Sequence, residues 1–254
     1  MNIQSLWIGD QLSAMEQMCI QSFLDHGHEF HLFAYDDIRN VPRGTVVRDA
    51  RTIMPLADSK DFRYTEGSSV AAFSDVFRLK LLLENGGIWV DMDVICLKPF
   101  TITDDYCFPL LSGRIMRGRD AGFSVDSWFL KAPRGSAFIR YCHDMALSYA
   151  GRETTWGTLG PWLIMGAISR FALHRFARGI RFFPVNHNRY DLLIEESPVA
   201  TALWYLFGRY SIAMHLYRSV WREHGVDPDG AFPKNCIYER LKRRHLTASR
   251  GNPR

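Results

Sequence analysis

A long apolar run over residues 70–85, closed by Gly86-Gly87 and followed at once by Ile88-Trp-Val-Asp91-Met-Asp93, constrains this chain more than any other stretch. Few polar residues interrupt the run, and glycine stops helices readily, so residues 70–85 are predicted to form a mostly buried helix. Ser74, Asp75 and Arg78 fall at i, i+1 and i+4 and share a polar stripe on this apolar rod. After the glycines the pattern changes to alternation. Ile88, Val90 and Met92 point one way and Trp89, Asp91 and Asp93 the other, as in a strand over residues 88–93. Two carboxylates on one face repel unless a cation lies between them. A hard divalent ion with oxygen ligands, Mg2+ or Mn2+, meets that need and usually completes its shell with the phosphate oxygens of a ligand.

Taken singly, these residues have plainer readings. Asp75 and Arg78 make an i, i+3 ion pair, and Asp91 and Asp93 a solvated strand end. The chain supplies its own control, because Asp227-Pro-Asp229-Gly has the same acid spacing and reads as a turn. Only the combination of helix stripe, glycine stop and paired acids points to a site.

That combination, SDVFRLKLLLENGGIWVDMDVICLKP over residues 74–99, closely resembles the DXD-containing sugar-binding region of glycosyltransferases. The group includes α-1,6-mannosyltransferases, α-1,4-galactosyltransferases and bacterial capsule enzymes, with glucosylating toxins as more distant relatives. Leu6-Trp7-Ile8-Gly9 and His215 extend the resemblance toward both ends of the chain. It implies an α/β fold of GT-A type, a single nucleotide-binding Rossmann-like domain with a mixed central sheet. It also implies metal-dependent, retaining transfer of a hexose from a nucleoside diphosphate sugar, with UDP-hexose the expected donor. The acceptor would be a saccharide or lipid-linked saccharide in bacterial surface polysaccharide or glycolipid synthesis. Carried onto this sequence, the resemblance makes Asp75, Arg78, Asp91 and Asp93 catalytic, and gives donor contacts to Trp7, Ser74, Asp75, Arg78, Trp89 and Gly160. Asp91, Asp93 and His215 would hold Mn2+ or Mg2+. Trp7 would stack on the base and Trp89 would flank the ribose or base. A core tryptophan and a hydrogen-bonded strand-end histidine are the alternatives for Trp7 and His215.

Two other functions fit parts of the pattern. An apolar strand ending in Asp91-Met-Asp93-Val also resembles haloacid-dehalogenase-like phosphatases, in which Asp91 would be the nucleophile, although the later lysine and acidic pair of that family are not evident. A sugar-nucleotide-binding homologue without turnover is the third.

The remaining chain sets bounds. With 254 residues, 47% of them hydrophobic, it can bury a substantial core, and it is expected to form one domain over residues 1–245 with a flexible basic tail over 246–254. No apolar run approaches the roughly 20 residues of a membrane span, and no leader is expected at the start. Cys19, Cys96, Cys107, Cys142 and Cys236 form no close pair, so neither a disulfide framework nor a zinc knuckle is expected and a cytoplasmic setting is. A net charge of +4 is too mild to call for nucleic acid. Arg240, Lys242, Arg243, Arg244, Arg250 and Arg254 crowd the C-terminus and offer peripheral contact with the inner membrane face.

In chain order, residues 3–8 predict a first strand. Ser13 and Glu16 have capping-box spacing for a helix ending near Gly27, and 30–35 and 45–48 predict two further strands. His26, His28 and His31 are close in sequence but are not expected to converge on a metal. Residues 51–67 read as a long surface loop and 106–111 as a strand. Residues 114–119 read as a loop, and 122–130 as a strand with Asp126-Ser127-Trp128 at its centre. Residues 136–149 predict an amphipathic helix, and a second helix is expected from Pro161 through Phe176. A late strand is read over 181–185, a loop over 186–198 and a final strand over 211–216.

Overall fold

The computed structural model describes residues 1–65, 69–110, 124–179, 182–185 and 187–247. The chain begins β1 (Asn2–Trp7), α1 (Ala14–Asp25), β2 (Glu29–Ala34), β3 (Val46–Asp49) and β4 (Phe62–Tyr64). The pivotal helix α2 (Ser69–Asn85) leads into β5 (Gly87–Val90) and β6 (Val94–Cys96). Then come β7 (Phe108–Pro109), β8 (Phe129–Ala132), α3 (Ala137–Leu147), β9 (Arg152–Thr154) and α4 (Pro161–Arg170). The last third holds β10 (Ala177–Arg178), α5 (Asp191–Ile194), α6 (Pro198–Phe207), β11 (Ala213–His215), α7 (Arg218–Glu223) and α8 (Ile237–Lys242).

The central sheet has the order β3-β2-β1-β5-β8, parallel throughout except for antiparallel β8, and is therefore mixed as expected. β5 lies inside it, which is why Ile88, Trp89 and Val90 form an unbroken apolar run. One core forms around α1, with Met15, Met18, Cys19 and Phe23 against Ile3, Phe30 and Val90. A second forms around α2, with Phe73, Phe77 and Leu81 against Leu6, Phe33 and Trp89. The capping box is present: Glu16 accepts from the Ser13 amide at 2.7 Å and the Ser13 hydroxyl accepts from Met15 N–H. The glycine stop is steric as well as conformational. Gly86 has φ +66°, and a Cβ there would lie 2.5 Å from the Arg134 nitrogen.

Several sequence expectations need correction. The strand after the glycines ends at Val90 instead of running to Asp93: the Asp91 amide makes a last ladder-like bond to the Trp128 carbonyl (2.9 Å), and Val94 N–H then turns back to the Asp91 carbonyl (3.2 Å). Residues 51–65 are not a featureless loop. They contain β4, which pairs with β9, and bury Ile53, Met54, Phe62 and Tyr64; Gly67 lies outside the described residues. Asp126, Ser127 and Trp128 precede β8 and do not sit in its centre. α4 stops at Arg170, with Ala172 left-handed (φ 54°). Residues 186–198 contain α5. The strand expected over 106–111 shortens to β7, and of that over 181–185 Phe182 makes only an isolated bridge to Ala213. The helical turn Arg243–Thr247 carries ordered chain past residue 245, with Leu246 against the core. Residues 114–119 and 248–254 lie outside the described residues.

Among the described residues no helix is long and apolar enough to cross a membrane. All five cysteines are free and buried.

Candidate active site

Parallel strands β1 and β5 end side by side, so Trp7 and Asp91 both stand at the carboxyl edge of the sheet, where α/β folds place ligands. The turn after β5 then sends Asp91 and Asp93 toward different partners. Asp91 Oδ1 accepts from the Trp89 indole N–H at 2.7 Å and lies 3.0 Å from Arg78 Nη2. Asp93 Oδ1 lies 3.1 Å from His215 Nε2, and its Oδ2 accepts from the Arg218 amide at 2.7 Å. His215 arrives on β11, which runs antiparallel to β6 with His215 opposite Val94. The Tyr217 backbone, left-handed at φ 60°, aims the Arg218 amide back at Asp93. One ligand atom from each of Asp91, Asp93 and His215 falls within 4.8 Å of the others.

The protein thus supplies its own counter-cations, Arg78 to Asp91 and His215 to Asp93. This corrects the expectation that repulsion between the acids by itself demands a metal. Burial pushes the Asp91 carboxyl up, and Arg78 offsets only part of that shift. Burial also works to raise Asp93, but His215 outweighs it and holds Asp93 low, while the same pairing lifts His215 against its own burial. Asp93 Oδ1 and His215 Nε2, 3.1 Å apart, are close enough for one cation to engage both residues in place of their mutual contact. Two carboxylates supply hard oxygen donors suited to Mn2+ or Mg2+, and the imidazole adds a borderline nitrogen that Mn2+ accepts more readily than Mg2+.

Helix α2 brings up the second half of the site. Asp75 is paired with Arg78 at 3.2 Å and accepts a 2.5 Å hydrogen bond from the Tyr64 hydroxyl. Burial and Asp75 drive the Tyr64 phenol well above its ordinary range, so it remains a donor. Burial raises the Asp75 carboxyl despite the opposing pull of Arg78 and Tyr64. Arg78 spans the two halves: Nη1 donates to the Ser127 carbonyl at 2.8 Å, and its guanidinium lies 5.1 Å from the Trp89 ring centre. Gly160 caps the N-terminus of α4 against Asp75, where a Cβ would lie 2.8 Å from both carboxylate oxygens. Only glycine lets the positive end of that helix approach so closely.

Of the expected donor contacts, Asp75, Arg78 and Gly160 are brought together, Ser74 sits half-buried one residue before Asp75, and Trp7 is half-buried at the sheet edge. Trp89 is a correction. At 1% exposure it has no free face for a ribose or base, and it holds Asp91 from beneath. His26, His28 and His31 do not converge, having separate partners in the Ser22 carbonyl, the Met1 nitrogen and Glu29. Tyr64 and Arg218 were not singled out as site residues by their sequence. Tyr64 is hinted at by the Phe62-Arg-Tyr64 alternation, and Arg218 by lying just after His215; the first contact spans 11 positions and the second, made by a backbone amide, spans 125. Eight buried polar side-chain atoms lack a partner among the described residues, and four belong here: Trp7 Nε1, Arg78 Nε, Trp128 Nε1 and His215 Nδ1. Natural proteins leave few such atoms unpaired, and these four are donors or acceptors that a water or a ligand can satisfy.

The model of the family "Capsular polysaccharide synthesis protein" matches residues 58–157, which include Tyr64, Asp75, Arg78, Asp91 and Asp93. The galactosyltransferase LgtC, solved with donor and acceptor sugar analogues, superposes with a TM-score of 0.54 at 12% identity, over 100% of this chain and 98% of that one. The fold is that of the GT-A glycosyltransferases. An active-site mutant of LgtC matches similarly (TM-score 0.53, 13% identity, 100% and 98% coverage). The bifunctional glycosyltransferase WbbM gives a TM-score of 0.51 at 8% identity, over 96% of this chain and 51% of that one. No curated protein sequence matches the chain. The GT-A fold and the matched segment bear out the resemblance read from residues 74–99.

Proposed function

We propose that the chain is a metal-dependent glycosyltransferase that moves a hexose from a nucleoside diphosphate sugar, UDP-hexose in the first instance, to a saccharide or lipid-linked acceptor in surface polysaccharide synthesis. The observation that carries this reading is the convergence of Asp91, Asp93 and His215 within 4.8 Å at the carboxyl edge of a GT-A sheet. Those three residues would hold Mn2+ or Mg2+, which when bound neutralises charge growing on the leaving diphosphate. Arg78, buried and with Nε unpartnered, supplies a fixed donor toward phosphate or sugar oxygens. Asp75, oriented by Tyr64 and Gly160, accepts from sugar hydroxyls. Trp7, whose Nε1 is also unpartnered, offers its ring to the base. The catalytic unit takes in the helical turn Arg243–Thr247, whose Leu246 packs on the core, and the five buried free thiols accord with a cytoplasmic setting.

Three carboxylates of the site are engaged by side chains, Asp75 by Tyr64 and Arg78, Asp91 by Arg78 and Trp89, and Asp93 by His215, whereas Asp126 accepts from the neighbouring Ser127 amide at 2.7 Å. Retention is the stereochemistry that the resemblance of residues 74–99 implies, and Asp126 is the carboxylate an inverting reaction would have to use as its base. The same engagement of Asp91 Oδ1 by two donors counts against its use as a phosphatase nucleophile. A thermal-shift screen of nucleotide sugars with and without Mn2+, followed by NMR of the first-formed product, tests the reading. Stabilisation by one nucleotide sugar only with Mn2+ present, then a retained anomer, is expected. Indifference to every sugar nucleotide, together with no transfer, defeats it.

A further inference from the structure

Helix α6 reads PVATALWYLF, and Ala200 is its only fully buried residue. A helix this apolar on a water-facing protein ordinarily turns its hydrophobic stripe inward. Here Val199, Ala202 and Leu206, at i, i+3 and i+7, line the outside. Of eleven large hydrophobic side chains exposed among the described residues, five lie between positions 199 and 210: Val199, Tyr205, Leu206, Phe207 and Tyr210. Tyr205 is 65% exposed and Leu206 61%. Such clustering marks an interaction surface, whereas exposed apolar residues scattered singly carry no message.

Cations rim one end of this helix. A cavity of about 350 Å³ beside it is lined by Trp204 and Tyr205 together with Lys98, Arg209 and Arg244, and no acid lines it. Lys98 Nζ donates to the carbonyls of Arg209 and Tyr210 (3.0 and 2.8 Å), the Arg209 guanidinium lies 6.0 Å from the Tyr210 ring centre, and Arg244 Nη2 is 3.2 Å from His26 Nε2. None of these partners is a carboxylate, so the three positive charges are left uncompensated beside an apolar, aromatic helix.

We infer that α6 is a membrane-docking element: it lies in the interface of a bilayer containing anionic phospholipid, with Leu206 and Val199 among the acyl chains. Tyr205 and Tyr210 stand at headgroup depth, and Lys98, Arg209 and Arg244 receive lipid phosphates. Apolar helices with aromatic and basic flanks bind interfaces in this way, by buried area and by attraction to anionic lipid together. The charge of the rim selects anionic lipid, and a second copy of the chain is the competing occupant that the oligomeric state in the test below separates from it. The element is distinct from the basic residues 248–254 and holds whatever reaction the site performs. It sits at the far end of the β6/β11 ribbon from Asp93, with Leu97 N–H bonded to the Ile212 carbonyl at that end. Lys98 follows Asp93 by five positions (98 − 93) through β6, about 16 Å of extended chain at about 3.3 Å per residue, so a bilayer there lies near the metal-ligand cluster.

Sedimentation of the full chain with phosphatidylglycerol-containing vesicles, and with pure phosphatidylcholine, reads this without turnover. Binding to the anionic vesicles, weakened by salt, is expected. Joint replacement Tyr205→Ser and Leu206→Ser, and separately Arg209→Glu, should each weaken it about tenfold while leaving circular dichroism and melting temperature unchanged. A chain ended at Thr247 should bind as the whole one does. The inference is overturned by absent vesicle binding, by wild-type binding in both variants, by loss of binding on removing residues 248–254, or by a dimer that the double replacement dissociates.

Discussion

Residues 91–93 and 227–229 carry the same spacing of two aspartates, and their surroundings make them opposites. Asp227 and Asp229 are exposed. Asp227 Oδ1 accepts from the Asp229 amide at 2.9 Å, and Asp229 Oδ1 from the Ala14 amide, the first of α1, at 2.7 Å. Their recorded hydrogen bonds are to backbone N–H groups, so they serve a turn and a helix start. Asp91 and Asp93 are engaged with charged side chains, Arg78 and His215, that belong to other elements of the fold. A carboxylate bonded to backbone N–H groups alone helps to shape the chain, whereas one held by cationic side chains can exchange them for a ligand.

That contrast breaks most easily at Asp93. Asp93→Asn keeps an oxygen for the Arg218 amide but removes the charge facing His215, and should lower metal-dependent transfer about 10³-fold with the fold intact. Recovery of more than a tenth of wild-type turnover would make residues 91–93 no different in kind from 227–229. His215→Gln is expected to have the next largest effect, about a tenfold to hundredfold rise in the Mn2+ concentration needed for half-maximal stabilisation, read by thermal shift. Unchanged Mn2+ dependence would remove His215 from the ligand set and leave it as a partner of Asp93 alone.

How much of this was visible beforehand follows the range of the interactions. Helix α2, its glycine stop and the first half of the sheet were legible because propensity, capping and periodicity are local: Ser13 and Glu16 announce α1, and Gly86 announces the end of α2. The turn at Asp91 was not legible, because no glycine or proline marks the bond from Val94 N–H that closes it, and the last partner of β5, the Trp128 carbonyl, is 37 positions away (128 − 91). Alternation through Asp93 therefore looked like continuing strand. β4 was hidden for a similar reason, since its partner β9 lies ninety residues further on (152 − 62). Trp89 was misread because a tryptophan beside an acidic motif looks the same whether it faces a ligand or supports the acid from the core. The engagement of Asp75 by Tyr64 and by the start of α4 needed coordinates altogether.

Gly160→Ala probes the approach of α4 to the other half of the site, and a smaller effect is expected. The backbone there has a negative φ of −116°, so alanine meets no left-handed penalty; the cost is crowding, with its Cβ 2.8 Å from the Asp75 oxygens. Displacing Asp75 should raise the KM for donor about tenfold and destabilise the protein by about 1–3 kcal/mol. Wild-type KM with lowered stability would assign Gly160 to packing only.

The smallest effect belongs to the control motif. Asp229→Ala deletes the acceptor of the Ala14 amide, an N-terminal N–H of α1. Loss of a side-chain acceptor at a helix start costs about 1 kcal/mol, and the exposed setting lets water replace part of it. A slightly lower melting temperature with unchanged kcat, KM and Mn2+ dependence is therefore expected. Because α1 packs against β6 through the core that supports Asp93, any larger response would have to travel through that helix. A fall in Mn2+ affinity in Asp229→Ala would show that the two motifs are mechanically joined, and a further fall on adding Gln17→Ala, which removes a bond to the Leu12 carbonyl at the same helix start, would locate the joint in α1.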